Sequence, residues 1–213
     1  MKQIINHFTD DDLYKLSMCC SVIDNYPRAQ VKYQFVDRNN TVYPAGFADE
    51  LRRQIEALEG VIITDDEIDF MKWRCSYMPH WFFTYLRGYR FSREWVNVSQ
   101  DIDGHLHVEF EGSWSDTILL EVKVLAMISE LFYIMTGQIA RLDYVQLYNK
   151  TCQKAERLLT AGCVFSDFGT RRRASFEAED TVVRALKDTY QSRDWKGRLV
   201  GTSNVYIAMT HDL

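Results

Sequence analysis

Apolar residues recur at helical spacing in several stretches of the chain. Leu13, Leu16, Cys20 and Ile23 mark a first helix with one buried face, and Tyr14 and Met18 lie beside or off that stripe. Its start reads Thr9-Asp10-Asp11-Asp12. The Thr9 hydroxyl is placed to cap backbone N–H groups, Asp12 stands at the third helical position, and Phe8 and Leu13 flank the cap as a hydrophobic staple. Thr64-Asp65-Asp66-Glu67 repeats the device between Ile63 and Ile68, so both acidic runs read as helix starts rather than metal sites. Phe47, Leu51, Ile55 and Leu58 predict another helix. Pro79 and Gly88 bracket the aromatic run MPHWFFTYLRGY as a short helix whose rings belong to the core.

Elsewhere the period is two. Val31, Tyr33 and Phe35 alternate with Lys32 and Gln34, and Asp37-Arg38-Asn39-Asn40 turns the chain. Around Asp101-Ile102-Asp103-Gly104 two strands meet as a hairpin, with Leu106, Val108 and Phe110 on one face and His105, His107 and Glu109 on the other. A His-x-His pair can ligate zinc or iron when a third ligand converges on it. The sequence identifies no such ligand, so this face reads as the polar side of an antiparallel strand.

From about Thr117 the pattern changes. ILLEVKVLAMISELFYIMTG is a long apolar helix closed by Gly137, and a second helix runs from about Asp143 to Leu159. The division expected is an N-terminal α+β domain over 1–116 and a second domain over 117–213. Two units of one design follow: CVFSDFGT leads into EAEDTVVRALKDTY, and RLVGTS leads into NVYIAMTHDL. Strand-to-helix units in succession predict parallel strands with helices outside them and functional loops at the strands' carboxyl ends. The fold class is therefore α/β, an α+β domain followed by the first βα units of an irregular, incomplete barrel. The chain stops at HDL within the last predicted helix, without a capping glycine or a returning strand, and so reads as the front part of a larger protein.

With 213 residues, 46% hydrophobic and 26% charged, the chain is long enough to bury a sizeable core. A net charge of −5 argues against a general nucleic-acid binder and makes any anion binding local. The N-terminus lacks a basic-then-apolar leader pattern and no apolar run is long enough to span a bilayer, which predicts a cytoplasmic location. Five cysteines without a CxxC pair read as reduced, mostly buried thiols.

The loops at the two strand ends carry the candidate chemistry. In FSDFGTRRR, Gly169 permits a sharp turn or a close approach to a ligand, and Thr170 offers a hydroxyl. Arginine's planar fork suits phosphate or carboxylate, and Phe168 puts a ring at the mouth of the same pocket. A flat aromatic ring beside an anionic group would fit. A solvated basic run ahead of the acidic helix start Glu177, Glu179 and Asp180 accounts for the same residues, and spacing alone leaves both readings open. The second loop, Gly201-Thr202-Ser203-Asn204, is a plain strand-to-helix turn. In a parallel sheet it would lie near the first, so that both line one pocket.

Taken together, DDLYKLSM, PHWFFTYL, GSWSDTILLEVKVLAMISELFY, FSDFGTRRR and GTSNVYIAM resemble nicotinate phosphoribosyltransferases in order and spacing, over essentially the whole chain. Lys123 departs from the pattern, which would have proline there, and is expected to affect the helix entry rather than the chemistry. The resemblance implies a transferase of NAD biosynthesis that joins nicotinate to phosphoribosyl pyrophosphate. Its products are nicotinate mononucleotide and pyrophosphate, with Mg²⁺ accompanying the phosphates and ATP hydrolysis driving the equilibrium as in a ligase. It implies a homodimer with shared active sites. Phe168 would stack on one face of the pyridine and Tyr14, from the partner subunit, on the other. Arg171 would hold anionic oxygens of the phosphoribosyl pyrophosphate or of nicotinate, with Arg172 and Arg173 beside it, and Gly169, Thr170, Thr202 and Ser203 would line the site. The related nicotinamide-using enzymes carry aspartate at the place of Ser203. A neutral serine can donate to a carboxylate that an aspartate would repel, so the acid is expected to be preferred over the amide.

The family's phosphorylated histidine belongs to a Gly-Thr-x-Ala-His segment expected beyond Leu213, and His211 is not its counterpart. No catalytic residue is therefore assigned, and turnover by these 213 residues alone is not expected. Two alternatives stay open: a non-catalytic binding or self-associating protein, since an incomplete barrel exposes strand edges, and a pyridine phosphoribosyltransferase acting on quinolinate or nicotinamide.

Overall fold

The computed structural model describes residues 1–213. Helix α1 (Leu13–Asn25) leads to strand β1 (Gln30–Gln34), then α2 (Phe47–Ala57), α3 (Asp65–Arg74) and α4 (His80–Gly88). The hairpin β2 (Val96–Gln100) and β3 (Leu106–Ser113) runs into the short α5 (Trp114–Thr117) and the long α6 (Leu120–Met135). The rest is α7 (Tyr144–Thr160), β4 (Val164–Asp167), α8 (Phe176–Gln191), β5 (Arg198–Thr202) and α9 (Val205–His211).

The first three strands form an antiparallel sheet in the order β1-β3-β2, with Tyr33 opposite Phe110 and Val98 opposite Val108. Alternation turns Leu106, Val108 and Phe110 into the core and leaves His107 outside. His107 lies 3.3 Å from an Asp101 carboxylate oxygen, and a ring nitrogen of His105 lies 3.3 Å from the Thr41 carbonyl. One large core gathers Phe8, Leu16, Phe47, Leu51, Phe82 and Leu86 together with Val124, Met127 and Leu131 of α6. A smaller one joins Ala155, Leu159, Leu186 and Leu199 where α7 and α8 cover β5. No helix is long and apolar enough to cross a membrane.

Several local expectations need correction. Thr64 and Glu67 form the predicted capping box of α3, but Thr9 caps nothing. Helix α1 begins at Leu13, and the Asp12 side chain makes no capping bond. The reason is a competing long-range partner, because the Thr9 N–H and hydroxyl both donate to Glu67 Oε1, at 2.9 and 2.6 Å. The buried stripe of α1 runs through Leu16, Cys19 and Val22, with Leu13, Cys20 and Ile23 only flanking it. Phe82 and Phe83 are buried as expected, whereas Trp81 stays exposed. All five cysteines are free thiols, but only Cys19 and Cys75 are buried. Gly137 closes α6 at φ 68°. Helix α9 also closes, with Asp212 in the left-handed region at φ 51°.

Strands β4 and β5 pair in parallel, Val164 opposite Arg198 and Asp167 opposite Thr202. Their carboxyl ends therefore point the same way, and the loops that leave them touch. The Ser203 N–H donates to the Asp167 carbonyl at 3.0 Å, and the Thr202 hydroxyl donates to the Asp167 carboxylate at 2.9 Å.

Candidate functional site between two strand-end loops

A third wall closes the space beside these loops: the acidic segment Thr9–Leu13. Its backbone is stitched to the β5–α9 turn by Leu13 N–H to Ser203 carbonyl (2.8 Å), Val205 N–H to Asp11 carbonyl (3.0 Å) and Tyr206 N–H to Thr9 carbonyl (2.9 Å). Its three carboxylates leave in three directions. Asp10 accepts a bidentate pair from Arg173 at 2.6 and 2.8 Å, Asp11 meets Lys123 Nζ at 2.6 Å, and Asp12 accepts the Ser203 hydroxyl at 2.7 Å. All three aspartates are buried. Read as a helix start, this segment was missed as part of the site. The only signal in the sequence is three acids in one place and three arginines in another, which nothing but contact can pair. Lys123 likewise does more than shape a helix entry, since it is the cation that neutralises Asp11.

The residues of FGTRRR divide by exposure. Phe168 is 59% exposed, and the Tyr14 ring lies beside it with centroids 5.9 Å apart and planes 29° from parallel. Within this chain Tyr14 reaches that position because α1 starts directly against the β5–α9 turn. Gly169 has an ordinary φ of −95°, so no sharp turn calls for glycine. Nor does space call for it, since an added Cβ would make only ordinary contacts, 3.4 Å from Asp167 Oδ1 and 3.5 Å from Glu179 Oε1. Arg171 is partly exposed and under-bonded, its Nε 3.9 Å from Asp12 Oδ2 and its Nη1 3.5 Å from Glu121 Oε1. Glu121 is also paired with Lys15. Arg172 is exposed and borders a cleft of about 390 Å³ lined by Tyr133, Leu142, Leu147, Phe168 and Val182. Arg173 points inward and cannot serve a ligand.

The three hydroxyls expected to line the site are already committed. A hydroxyl has a single proton to donate. That of Thr170 goes to Glu179 at 2.9 Å, that of Thr202 to Asp167, and that of Ser203 to Asp12. In this structure the Ser203 proton faces a carboxylate of the protein, Asp12, rather than the open side of the loop. The side chains open to a ligand are Tyr14, Phe168, Arg171 and Arg172. Asp12 Oδ2 is buried without a hydrogen-bond partner.

Beneath the loop, one guanidinium faces three carboxylates. Arg173 bonds Asp10 as above, Glu179 at 3.2 Å and Glu130 at 3.3 Å. Burial pushes the Asp10 carboxyl up, but the charge of Arg173 and hydrogen bonds from Arg173 and Asn204 outweigh it and hold Asp10 below its ordinary value. Burial pushes Glu179 up to about 8, opposed by Arg173 and reinforced by Asp10 and Asp167. Burial likewise raises Glu130 and, against its bond to Lys123, lifts Asp11 to about 6. A carboxyl whose pKa is higher folded than unfolded contributes most below its unfolded value, and that contribution is lost as pH rises through the folded pKa. For Glu179 the window runs from 4.5 to about 8. Glu179→Gln should therefore leave the melting temperature near pH 4.5 unchanged. At pH 8.5 it should raise it by about 2–4 °C, the shift that ~1 kcal/mol produces at this chain length. Thermal melts across pH test this, and a lower melting temperature at pH 8.5 would contradict it.

Against known families, residues 9–129 match the nicotinate phosphoribosyltransferase N-terminal domain and residues 163–213 match the nicotinate phosphoribosyltransferase family. The sequence is 37% identical to nicotinate phosphoribosyltransferase 1 of Pseudomonas aeruginosa, over 100% of this chain and 52% of that protein. The crystal structure of nicotinate phosphoribosyltransferase from Porphyromonas gingivalis superposes with a TM-score of 0.91 at 37% identity, covering 99% of this chain and 52% of the other. A putative nicotinate phosphoribosyltransferase from Saccharomyces cerevisiae gives 0.93 at 28%, covering 100% and 54%. The chain spans about half the length of the relatives it matches. With both family segments matched in order, and with strand-end loops and acidic segment folded against each other, the chain belongs to the nicotinate phosphoribosyltransferase family.

Proposed function

We propose that this chain supplies the base-stacking and anion-binding wall of an enzyme that transfers a phosphoribosyl group from phosphoribosyl pyrophosphate to nicotinate, releasing pyrophosphate. The observation that carries this reading is the juxtaposition of an exposed ring pair, Phe168 and Tyr14, with the under-bonded guanidinium of Arg171. A pyridine held between the two rings needs about 7 Å between them, two contact layers of ~3.5 Å each. The observed 5.9 Å centroid separation calls for roughly a further ångström of opening, which the solvent-facing Phe168 can supply by a rotamer change.

In the transfer, the C1–O bond to pyrophosphate breaks as the ring nitrogen approaches C1, and positive character builds on the ribose. Stacking orients the nitrogen, and Arg171 offers a fork to the anionic oxygens as charge moves onto the leaving group. No nucleophilic side chain is needed for this step. Mg²⁺ belongs with the phosphates as part of the substrate. ATP coupling, a cytoplasmic setting and a homodimer are carried by the family relationship alone.

Calorimetry tests the reading. Arg171→Ala should weaken phosphoribosyl pyrophosphate binding by about 10- to 100-fold, the worth of one or two hydrogen bonds to a charged group. Phe168→Ala should weaken nicotinate binding by several-fold. Unchanged affinity in Arg171→Ala would sink the assignment, and tighter binding of nicotinamide than of nicotinate would point to a different pyridine base. A second reading, association without turnover, draws on strands β4 and β5, which pair only with each other and expose Val164 and Val200. Concentration-dependent oligomers without ligand binding would favour it.

A further inference from the structure

We propose that Lys123 and Asp11 form a positioning pair for the ligand site, fixing Asp12, and through it Arg171 and Tyr14, without either residue touching a ligand. The proposal rests on the reading of the two loops as a ring-and-anion site. Lys123 on α6 and Asp11 are both completely buried and lie 112 positions apart in sequence. Nothing in the hydrophobic core requires such a pair. Taking two charges out of water is costly, and apolar replacements of similar volume often serve stability as well or better. Phe8 and Phe91 close over the ammonium at 5.5 and 5.4 Å, a setting that would suit an apolar side chain equally.

The second oxygen of Asp11 shows what the pair accomplishes. With Oδ2 anchored on Lys123, Oδ1 accepts the Asp12 backbone N–H at 2.8 Å. That bond turns the chain at the entry to α1 and aims the Asp12 carboxylate at Ser203 and toward Arg171. Tyr14 follows two residues later, already opposite Phe168. The Asp11 carbonyl meanwhile accepts from Val205 N–H, so the same residue ties the turn to the β5–α9 loop. A buried N–H left without its acceptor would find another conformation. The segment could then remain folded while the site shifts.

Two double variants separate positioning from packing. Asp11→Asn with Lys123→Met removes both charges but keeps a carbonyl oxygen that can accept the Asp12 N–H. Asp11→Leu with Lys123→Met removes the charges and the acceptor. Inorganic pyrophosphate binding by calorimetry and hydrogen exchange at the Asp12 amide are the readouts. The Asn/Met protein is expected to bind within about threefold of the wild type and to retain Asp12 protection. The Leu/Met protein should melt within a few degrees of Asn/Met, yet bind at least tenfold more weakly and lose Asp12 protection at least tenfold. Equal binding and equal Asp12 protection in the two variants would overturn the proposal, as would unchanged Asp12 protection in Leu/Met alone. Arg171→Ala in the same assay distinguishes the layers. If pyrophosphate binding ignores Arg171, the anion-site reading fails, and hydrogen exchange still decides the Lys123–Asp11 role.

Discussion

Arg173→Met should remove about 3–5 kcal/mol of stability, the usual cost of breaking a buried ion pair by deleting one partner. Methionine has a similar reach and fills most of the same space, so the loss is electrostatic rather than a cavity effect. Asp10, Glu130 and Glu179 would be left with no cation in direct contact, two of them nearly inaccessible to water. They come from three distant parts of the chain, so above about pH 8, where Glu179 is ionised, their repulsion separates the N-terminal segment, α6 and α8 rather than loosening one of them. Arg172→Met, one residue away on the exposed face, should stay within about 0.5 kcal/mol of wild type. Urea denaturation measures both. Similar midpoints for the two variants would show that the three carboxylates are held by protons rather than by the guanidinium.

The second large effect is expected at Gly197, immediately before β5. A Cβ there would meet the Cys163 carbonyl oxygen at 2.5 Å and the Leu159 Cα and carbonyl oxygen at 2.9 Å. All are backbone atoms, so no side chain can rotate away. Hydrogen bonds on both sides hold the approach: Gly197 N–H donates to Leu159 and Arg198 N–H to Cys163, at 2.8 and 2.9 Å. Gly197→Ala must push β5 away from the end of α7 and should cost about 1–3 kcal/mol or more. Because β5 carries Thr202 and leads directly into Ser203, the displacement also spoils their bonds to Asp167 and Asp12. Ligand affinity should therefore fall with stability. Gly60→Ala is the control: nothing lies within 4 Å of its added carbon, and a small stabilisation of about 0.4–1 kcal/mol is expected from the stiffer unfolded chain. If the two alanine variants melt alike, the close approach is not a constraint.

Elements defined by short-range physics were legible in advance. The capping box at Thr64, the period-two hairpin around Gly104 and the helices closed by Gly137 and opened by Asp143 follow from residues a few positions apart. So did the two strand-helix units, and with them the neighbourhood of FGTRRR and GTSN. The Thr9–Asp12 segment looked like the Thr64 one because its local pattern is the same. What separates them is Glu67, Lys123, Arg173 and Ser203, which claim its polar groups from 58 to 191 residues away.

The same division runs through the site. The sequence alone determined that a ring, a fork of arginines and a pair of strand-end loops would share one end of a parallel pair, because strand direction and loop position are local properties. Only the tertiary structure decided which arginine faces outward, which hydroxyls keep a proton to offer, and that three aspartates form the opposing wall. Those outcomes turn on competition for buried partners. A carboxylate or hydroxyl removed from water takes the nearest complementary group in space, wherever that group lies in the chain.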